Sequence, residues 1–258
     1  MITLASDFGS PYPAAMKGVI CRRTDARLVD IAHDLPRQDV RAAAFWLRFV
    51  LPEFPPAAHL VVVDPGVGTD RAALAVRAGE HVLVGPDNGV LFPPTRALAD
   101  GGPIEAFEIR IDDPESDTFH GRDVFAPAAA EIHAAVFEEP RDSPDDLKWH
   151  PLLTPTDEYE DLRLPDPDLR PAEALGEVLV VDDFGNAITN VPGEVVEGTD
   201  ELRVNGDLTP VVGTFADVPI GERLVTVGSH GYVELDVREG RGDEAFGLDL
   251  GADVLLSW

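Results

Sequence analysis

The chain has 258 residues, 44% of them hydrophobic, and carries 48 Asp plus Glu against 20 Lys plus Arg, for a net charge of −28. A field of that sign repels nucleic acid and anionic membrane surfaces, so neither is an expected partner, and no apolar run approaches the ~18 residues that cross a bilayer. The length suits one large domain, or one of about 150 residues with a smaller companion. The carboxylates run through the whole sequence rather than forming a tail, and the only lysines are Lys17 and Lys148. That composition reads as halophilic adaptation to molar salt, where the Debye length falls to about 3 Å. A single cysteine, Cys21, excludes an intrachain disulfide and is expected as a small buried hydrophobe. Met1-Ile2-Thr3-Leu4 enters a predicted strand with no basic, apolar leader, so a cytoplasmic location is expected.

Taken in order, Ile2 to Ser6 predicts a first strand that ends at Asp7-Phe8-Gly9-Ser10, a carboxylate at a strand tip followed by glycine. Tyr12 to Cys21 predicts a helix, and Leu28 to Ile31 a second strand closed by Ala32-His33-Asp34-Leu35-Pro36. Val40, Ala43, Ala44, Leu47 and Val50 recur at helical spacing behind Asp39, a suitable N-cap. His59 to Val63 reads as a buried strand, stopped by Asp64-Pro65-Gly66. Asp64 is thereby left at a strand tip, where ligands bind in open α/β sheets. Arg71 opens the apolar run Ala72 to Val76, and a short hairpin would return its guanidinium to Asp64, either as a surface ion pair or as part of a site. His81 to Val84 predicts another strand and Gly85-Pro86-Asp87-Asn88-Gly89 a turn. The alternation of strand and helix predicts an α/β layer with a mostly parallel sheet flanked by helices.

Ile104 to Ile111 predicts a strand, and Ser116 to Asp123 leads into an alanine-rich helix from Val124 to Val136, with Asp117 or Thr118 as its cap. His120 falls near that helix start, where the dipole disfavours an imidazolium and leaves a neutral ring to act as a base; a capping or surface role is the alternative. From Glu138 to Pro171 the sequence is dense in Pro, Asp and Glu, which predicts a linker with a turn of helix around Asp157 to Leu162. Beyond it the period changes. Gly176–Val181, Leu202–Val204, Thr209–Val212, Arg223–Val227 and Tyr232–Val237 are short β-rich runs separated by turns, as in a small all-β barrel or sandwich. The division expected is residues 1–171, linker included, and 172–258.

Polar groups collect at tips and turns: Asp7, Asp64, Arg71, Asp87, Asn88, His120, Asp182, Asn186 and Ser229. No histidine or cysteine spacing suits a metal, no glycine pattern cradles phosphates, and there is no Gly-x-Ser-x-Gly elbow. What remains is acid/base chemistry on a neutral or cationic substrate.

Six motifs in order, Ser6-Asp7-Phe8-Gly9 with Met16-Lys17-Gly18, Val63 to Gly68 followed by Arg71, Gly85 to Gly89, Thr118 to Asp123, Asp182-Asp183-Phe184-Gly185-Asn186 and Gly228 to Tyr232, resemble those of the S-adenosyl-L-methionine (SAM) hydroxide adenosyltransferases. These are the adenosine-forming SAM hydrolases, related to the SAM-dependent fluorinase and chlorinase. The resemblance implies an N-terminal α/β domain, a C-terminal β-barrel, and a homotrimer whose sites lie between one subunit's first domain and its neighbour's second. It implies attack of water on the ribose 5′ carbon of SAM, releasing adenosine and methionine, with SAM as substrate and no cofactor or metal. By motif the catalytic residues fall on Asp64, Arg71 and His120. The ribose contact falls on Asp7, with Phe8 beside it, and contacts to the methionine and adenine parts on Asp182, Phe184, Asn186 and Ser229, with His230 adjoining. Asp183 is the alternative to Asp182. The halogenating relatives carry other residues where Asp64 and Gly121 stand, so the hydrolase is expected; a chloride-using enzyme and a non-catalytic SAM or adenosine binder are the rival readings.

Overall fold

Every residue of β1 (Ile2–Ser6) is buried, Thr3 and Ser6 included, as in a strand covered on both faces. In the computed structural model, which describes residues 1–110, 118–138 and 146–258, the chain divides into two compact units, Met1–Arg163 and Leu164–Trp258. In the first unit β1 is followed by α1 (Tyr12–Cys21), β2 (Leu28–Ala32), α2 (Val40–Val50), β3 (Ala58–Val62), β4 (Ala73–Ala78), β5 (His81–Pro86), α3 (Phe92–Ala99), β6 (Ile104–Ile109), α4 (Ala126–His133) and β7 (Leu153–Pro155). The sheet order is β2-β1-β3-β5-β4-β6-β7. β2, β1, β3 and β5 are mutually parallel, and β4, β6 and β7 join antiparallel. The mostly parallel sheet expected from the sequence thus has four parallel strands, and β4 pairs antiparallel with β5 because the two are joined only by Gly79-Glu80, and so short a link permits only an antiparallel pair.

Ile2, Leu4, Leu60 and Val62 form one face of this sheet with Met16 and Ile20 of α1 and the alanines of α4; Ala5, Val61 and Val63 face Ala43, Ala44 and Leu47 of α2 and Phe92 of α3. Asp39 caps α2 as expected, its side chain accepting from the Ala42 N–H at 2.9 Å. Cys21, by contrast, is exposed, because Met16, Val19 and Ile20 take the buried side of α1. The expected continuous helix from Val124 to Val136 is instead α4 flanked by two π-helical turns, Gly121–Phe125 and Ala134–Glu138. His120 rather than Thr118 occupies the N-cap position of the first turn, and Asp117 lies outside the described residues.

Among the described residues the acidic linker holds no helix over Asp157–Leu162. That stretch has no regular secondary structure and is fastened to the rest of the first unit: Glu160 N–H donates to Asp87 Oδ1 (2.8 Å), Arg96 binds Asp161 (2.6 Å) and the Leu162 carbonyl (2.7 Å), and Tyr159 stacks on Phe92 with centroids 4.2 Å apart. These bonds satisfy backbone groups that a helical turn would otherwise have paired internally.

The second unit contains β8 (Asp168–Arg170), β9 (Glu173–Val181), β10 (Ala187–Pro192), β11 (Glu201–Val204), β12 (Asp207–Pro210), β13 (Arg223–Val227), β14 (Tyr232–Val237), α5 (Gly242–Phe246) and β15 (Asp253–Ser257). Its strands run β12-β11-β15-β9-β10-β14-β13, all neighbours antiparallel, with β8 added on β9. A bridge between Val211 and Val225 returns the chain after β12 to β13 and nearly closes a barrel around Val178, Val191, Val204, Val233, Leu235 and Leu256. Among the described residues no helix is long and apolar enough to cross a membrane.

Candidate active site

β1 and β3 are adjacent and parallel, yet the connections leaving β1 and entering β3 run on opposite faces, through α1 and α2. Their carboxyl ends therefore open a crevice at the switch point of the sheet. Asp7 leaves the end of β1 and Asp64 the end of β3, and His120 arrives from the start of the π-helical turn before α4. All three line one cavity of about 270 Å³, with Phe8, Tyr12 and Phe119.

Asp64 Oδ1 accepts the N–H of Gly66 at 3.1 Å, and Oδ2 accepts a hydrogen bond from Arg71 Nη2. The Asp64 and Arg71 side chains are only 3% and 11% exposed, so this is not a surface ion pair. Arg71 is itself fixed, Nη1 donating to the Ala72 carbonyl at 2.7 Å and the guanidinium lying 5.6 Å from the centre of the Phe125 ring. Burial raises the Asp64 carboxyl above its ordinary value, while Arg71, the Gly66 N–H and His120 pull the other way. A carboxylate whose proton affinity is moved towards neutrality is better suited to accept a proton from water.

His120 is buried, and Gly121 beside it is required by close approach: a Cβ there would stand 2.8 Å from Met16 Sδ and 3.1 Å from the Phe119 ring. Asp7 is buried as well, with Oδ2 accepting the Gln38 N–H at 2.6 Å. Phe8, Tyr12 and Phe119 meet edge to face with centroids 5.3 to 6.0 Å apart and make an aromatic wall. Sequence reasoning missed Tyr12 and Phe119; the available signal was an aromatic within a few residues of each polar tip. Asp87 and Asn88, in contrast, serve the scaffold, Asp87 holding Glu160 and Asn88 Nδ2 donating to the Val63 carbonyl at 2.9 Å.

In the second unit Asp182, Asp183, Phe184 and Asn186 line a separate cavity of about 780 Å³ together with Phe215 and Arg241. Asp182 organises the turn: Oδ1 accepts the N–H groups of Phe184 and Asn186, both at 2.9 Å, and Oδ2 accepts Asn186 Nδ2 at 3.1 Å. Asp183 is exposed, and Phe184 and Phe215 present aromatic faces that are 79% and 40% exposed. Ser229 and His230 are not brought to this cavity. They lie in the turn before β14, whereas Val237, at the far end of that strand, lines it; five strand steps are roughly 17 Å. The His230 ring is engaged at both nitrogens, Nδ1 accepting the Tyr232 N–H (3.1 Å) and Nε2 facing Glu234 Oε1 (2.8 Å). Among the described residues no group of three His, Cys, Asp or Glu side chains is placed to hold a metal ion.

The model of the SAM hydroxide adenosyltransferase N-terminal domain matches residues 2–140, and that of the C-terminal domain matches residues 176–255. The chain belongs to the SAM hydroxide adenosyltransferase family. Its relatives include the (R)-S-adenosyl-L-methionine hydrolase of Salinispora tropica, 41% identical over 97% of this chain and 95% of that protein. The protein of the same name from Thermus thermophilus is 42% identical over 97% of both. Among solved structures, an uncharacterised conserved protein from Thermotoga maritima superposes with a TM-score of 0.81 at 31% identity over the full length of both chains.

Proposed function

We propose that this chain hydrolyses SAM to adenosine and L-methionine. The observation that carries the reading is the placement of Asp64, braced by Arg71, in one cavity with His120 and Asp7. Water attacks the ribose 5′ carbon as the C–S bond breaks, the electron pair leaves with the methionine sulfur, and the proton lost by water passes to the Asp64 carboxylate or the His120 ring. A sulfonium is already a good leaving group, so help is needed by the poor nucleophile; general-base assistance is worth about 10² to 10⁴ in rate, and holding water in line supplies much of the rest. Arg71 steadies the hydroxide character that develops, and Asp7 accepts hydrogen bonds from the ribose diol.

In the same reading Phe184 and Phe215 offer their faces to the adenine, and Asn186 and Asp182 or Asp183 serve its edge or the methionine part, while Ser229 and His230, in the turn before β14, stay outside this set. A homotrimer, with one subunit's first unit supplying the ribose side and a neighbour's second unit the rest, is part of the proposal, as are function without added metal and a cytoplasmic location.

The test is incubation with SAM in molar potassium chloride, with and without chelator, followed by product identification. Adenosine and methionine in equal amounts support the reading. 5′-Chloroadenosine would reassign the enzyme as a halogenase, and intact SAM after long incubation would make it a binding protein.

A further inference from the structure

Four polar side chains run in series from the outside of α1 to the tip of β1. Lys17 Nζ donates to Asp30 Oδ2 at 2.6 Å, Asp30 Oδ1 meets His33 Nε2 at 3.0 Å, and His33 Nδ1 meets Ser6 Oγ at 2.7 Å. Paired with Lys17, Asp30 accepts, so His33 presents an N–H at Nε2, and its Nδ1 shares a hydrogen bond with the Ser6 hydroxyl. The series has the composition of a Ser-His-Asp triad, but Ser6 is fully buried and does not line the cavity, so it presents no nucleophile.

The series ends next to Asp7 in the chain. Ser6 precedes it, and the backbone on either side is tied to the same segment: the Leu35 N–H donates to the Ser6 carbonyl at 3.2 Å and the Gly9 N–H to the His33 carbonyl at 2.8 Å. The Asp7 carboxylate is then gripped by the Gln38 N–H at 2.6 Å, from the end of that segment. Residues 6–9 and 33–38 are thus laced together through backbone groups, and the bond from Ser6 to His33 adds a link between two side chains. Neither Ser6, His33, Asp30 nor Lys17 lines the cavity with Asp64.

We infer that Lys17, Asp30, His33 and Ser6 form a positioning relay that holds Asp7 in its ribose-binding pose, with His33 as the member that joins the two strand ends. The inference rests on the reading of Asp7 as the ribose contact. The relay acts on ground-state and transition-state binding alike, so its loss raises KM and spares kcat. One hydrogen bond of this kind corresponds to about a five- to tenfold change.

The experiment is steady-state hydrolysis of SAM by wild type, Ser6→Ala, His33→Ala and His33→Gln, with product inhibition by adenosine and by methionine measured separately. The glutamine amide in His33→Gln can donate to Asp30 and accept from Ser6 at once, so this variant serves as the conservative replacement. Ser6→Ala and His33→Ala are expected to raise KM for SAM, and to weaken adenosine inhibition, about five- to tenfold, with kcat within about twofold. Methionine inhibition is expected to be unchanged, and His33→Gln to restore the wild-type constants. Unaltered KM and adenosine inhibition in both alanine variants, equal weakening of adenosine and methionine inhibition, or a fall in kcat at constant KM would each overturn the relay. If His33→Ala does not fold, Ser6→Ala, which removes a single oxygen, decides. Absence of turnover in the wild type would instead defeat the hydrolase reading, and calorimetric binding of adenosine to wild type and Ser6→Ala would still decide the relay by the same ratio.

Discussion

Arg71 reaches back from the start of β4 to donate to the Asp64 carboxylate at the tip of β3, and both side chains are withdrawn from solvent. Burial raises the Asp64 pKa and Arg71 opposes that rise. The proton affinity of this carboxylate is therefore set by two opposed effects. Replacing Arg71 with Ala removes the opposing charge, so the Asp64 pKa climbs further and the acid limb of the kcat profile moves to higher pH, with a lower plateau because hydroxide character loses its partner. A profile of kcat against pH for wild type and Arg71→Ala checks this. An acid limb that stays in place or moves to lower pH contradicts the pairing as described.

Phe184 stands almost fully exposed on a turn that Asp182 holds rigid with three hydrogen bonds. An exposed, preorganised ring is suited to stacking on a purine, and an aromatic–base stack is worth about 1–3 kcal/mol. Phe184→Ala is expected to raise KM for SAM by roughly tenfold or more while leaving thermal stability unchanged. A loss of melting temperature with unaltered KM would give Phe184 a role in folding instead.

Asp236 is fully buried on β14, and neither of its carboxyl oxygens has a hydrogen-bond partner among the described residues. Burial first, then the neighbouring carboxylates Glu234 and Asp182, push its pKa from 3.8 up to about 8. The folded chain retains a proton that the unfolded chain releases, so this group's contribution is complete below about pH 4 and is lost as pH rises towards about 8. Asp236→Asn cannot ionise. Its melting temperature is expected to fall less than that of wild type between about pH 5 and pH 9. Parallel curves for the two proteins would contradict the assignment.

A net charge of −28 on a chain with only 20 basic residues is a source of self-repulsion that dilute buffer screens poorly. Exposed pairs such as Arg170 with Asp168 and Arg163 with Asp161 do little to offset it. The melting temperature is therefore expected to rise with potassium chloride from about 0.1 M into the molar range, as the Debye length contracts from about 10 Å to about 3 Å. No change over that range would remove the halophilic reading of the composition.

Local chemistry makes much of this legible in the sequence. Asp39 announced the start of α2, Tyr12–Cys21 and Arg223–Val227 coincide with α1 and β13, and the Asp-Pro-Gly turn foretold that Asp64 and Arg71 would meet. The burial of that pair was not legible, because it depends on Phe125, brought over from a distant segment. α3 was not among the predicted elements; its Pro93-Pro94 sits in the first turn, where a missing N–H costs nothing. β10 was hidden by Thr189 and Asn190, polar but buried because the Thr189 hydroxyl donates to the Val233 carbonyl and the Asn190 amide to the Pro165 carbonyl. In the site, single tips could be read from sequence, whereas the wall of Phe8, Tyr12 and Phe119 and the commitment of the His230 ring to Glu234 arise only from packing.

The central claim is that water, activated by Asp64, attacks the ribose 5′ carbon. The most direct measurement is the mass of the nucleoside formed from SAM in oxygen-18-labelled water, for wild type and for Asp64→Ala. The predicted result is adenosine carrying the heavy oxygen at its 5′ position, formed about 10² to 10⁴ times more slowly by Asp64→Ala. Adenosine without the label, or undiminished turnover in Asp64→Ala, would contradict it.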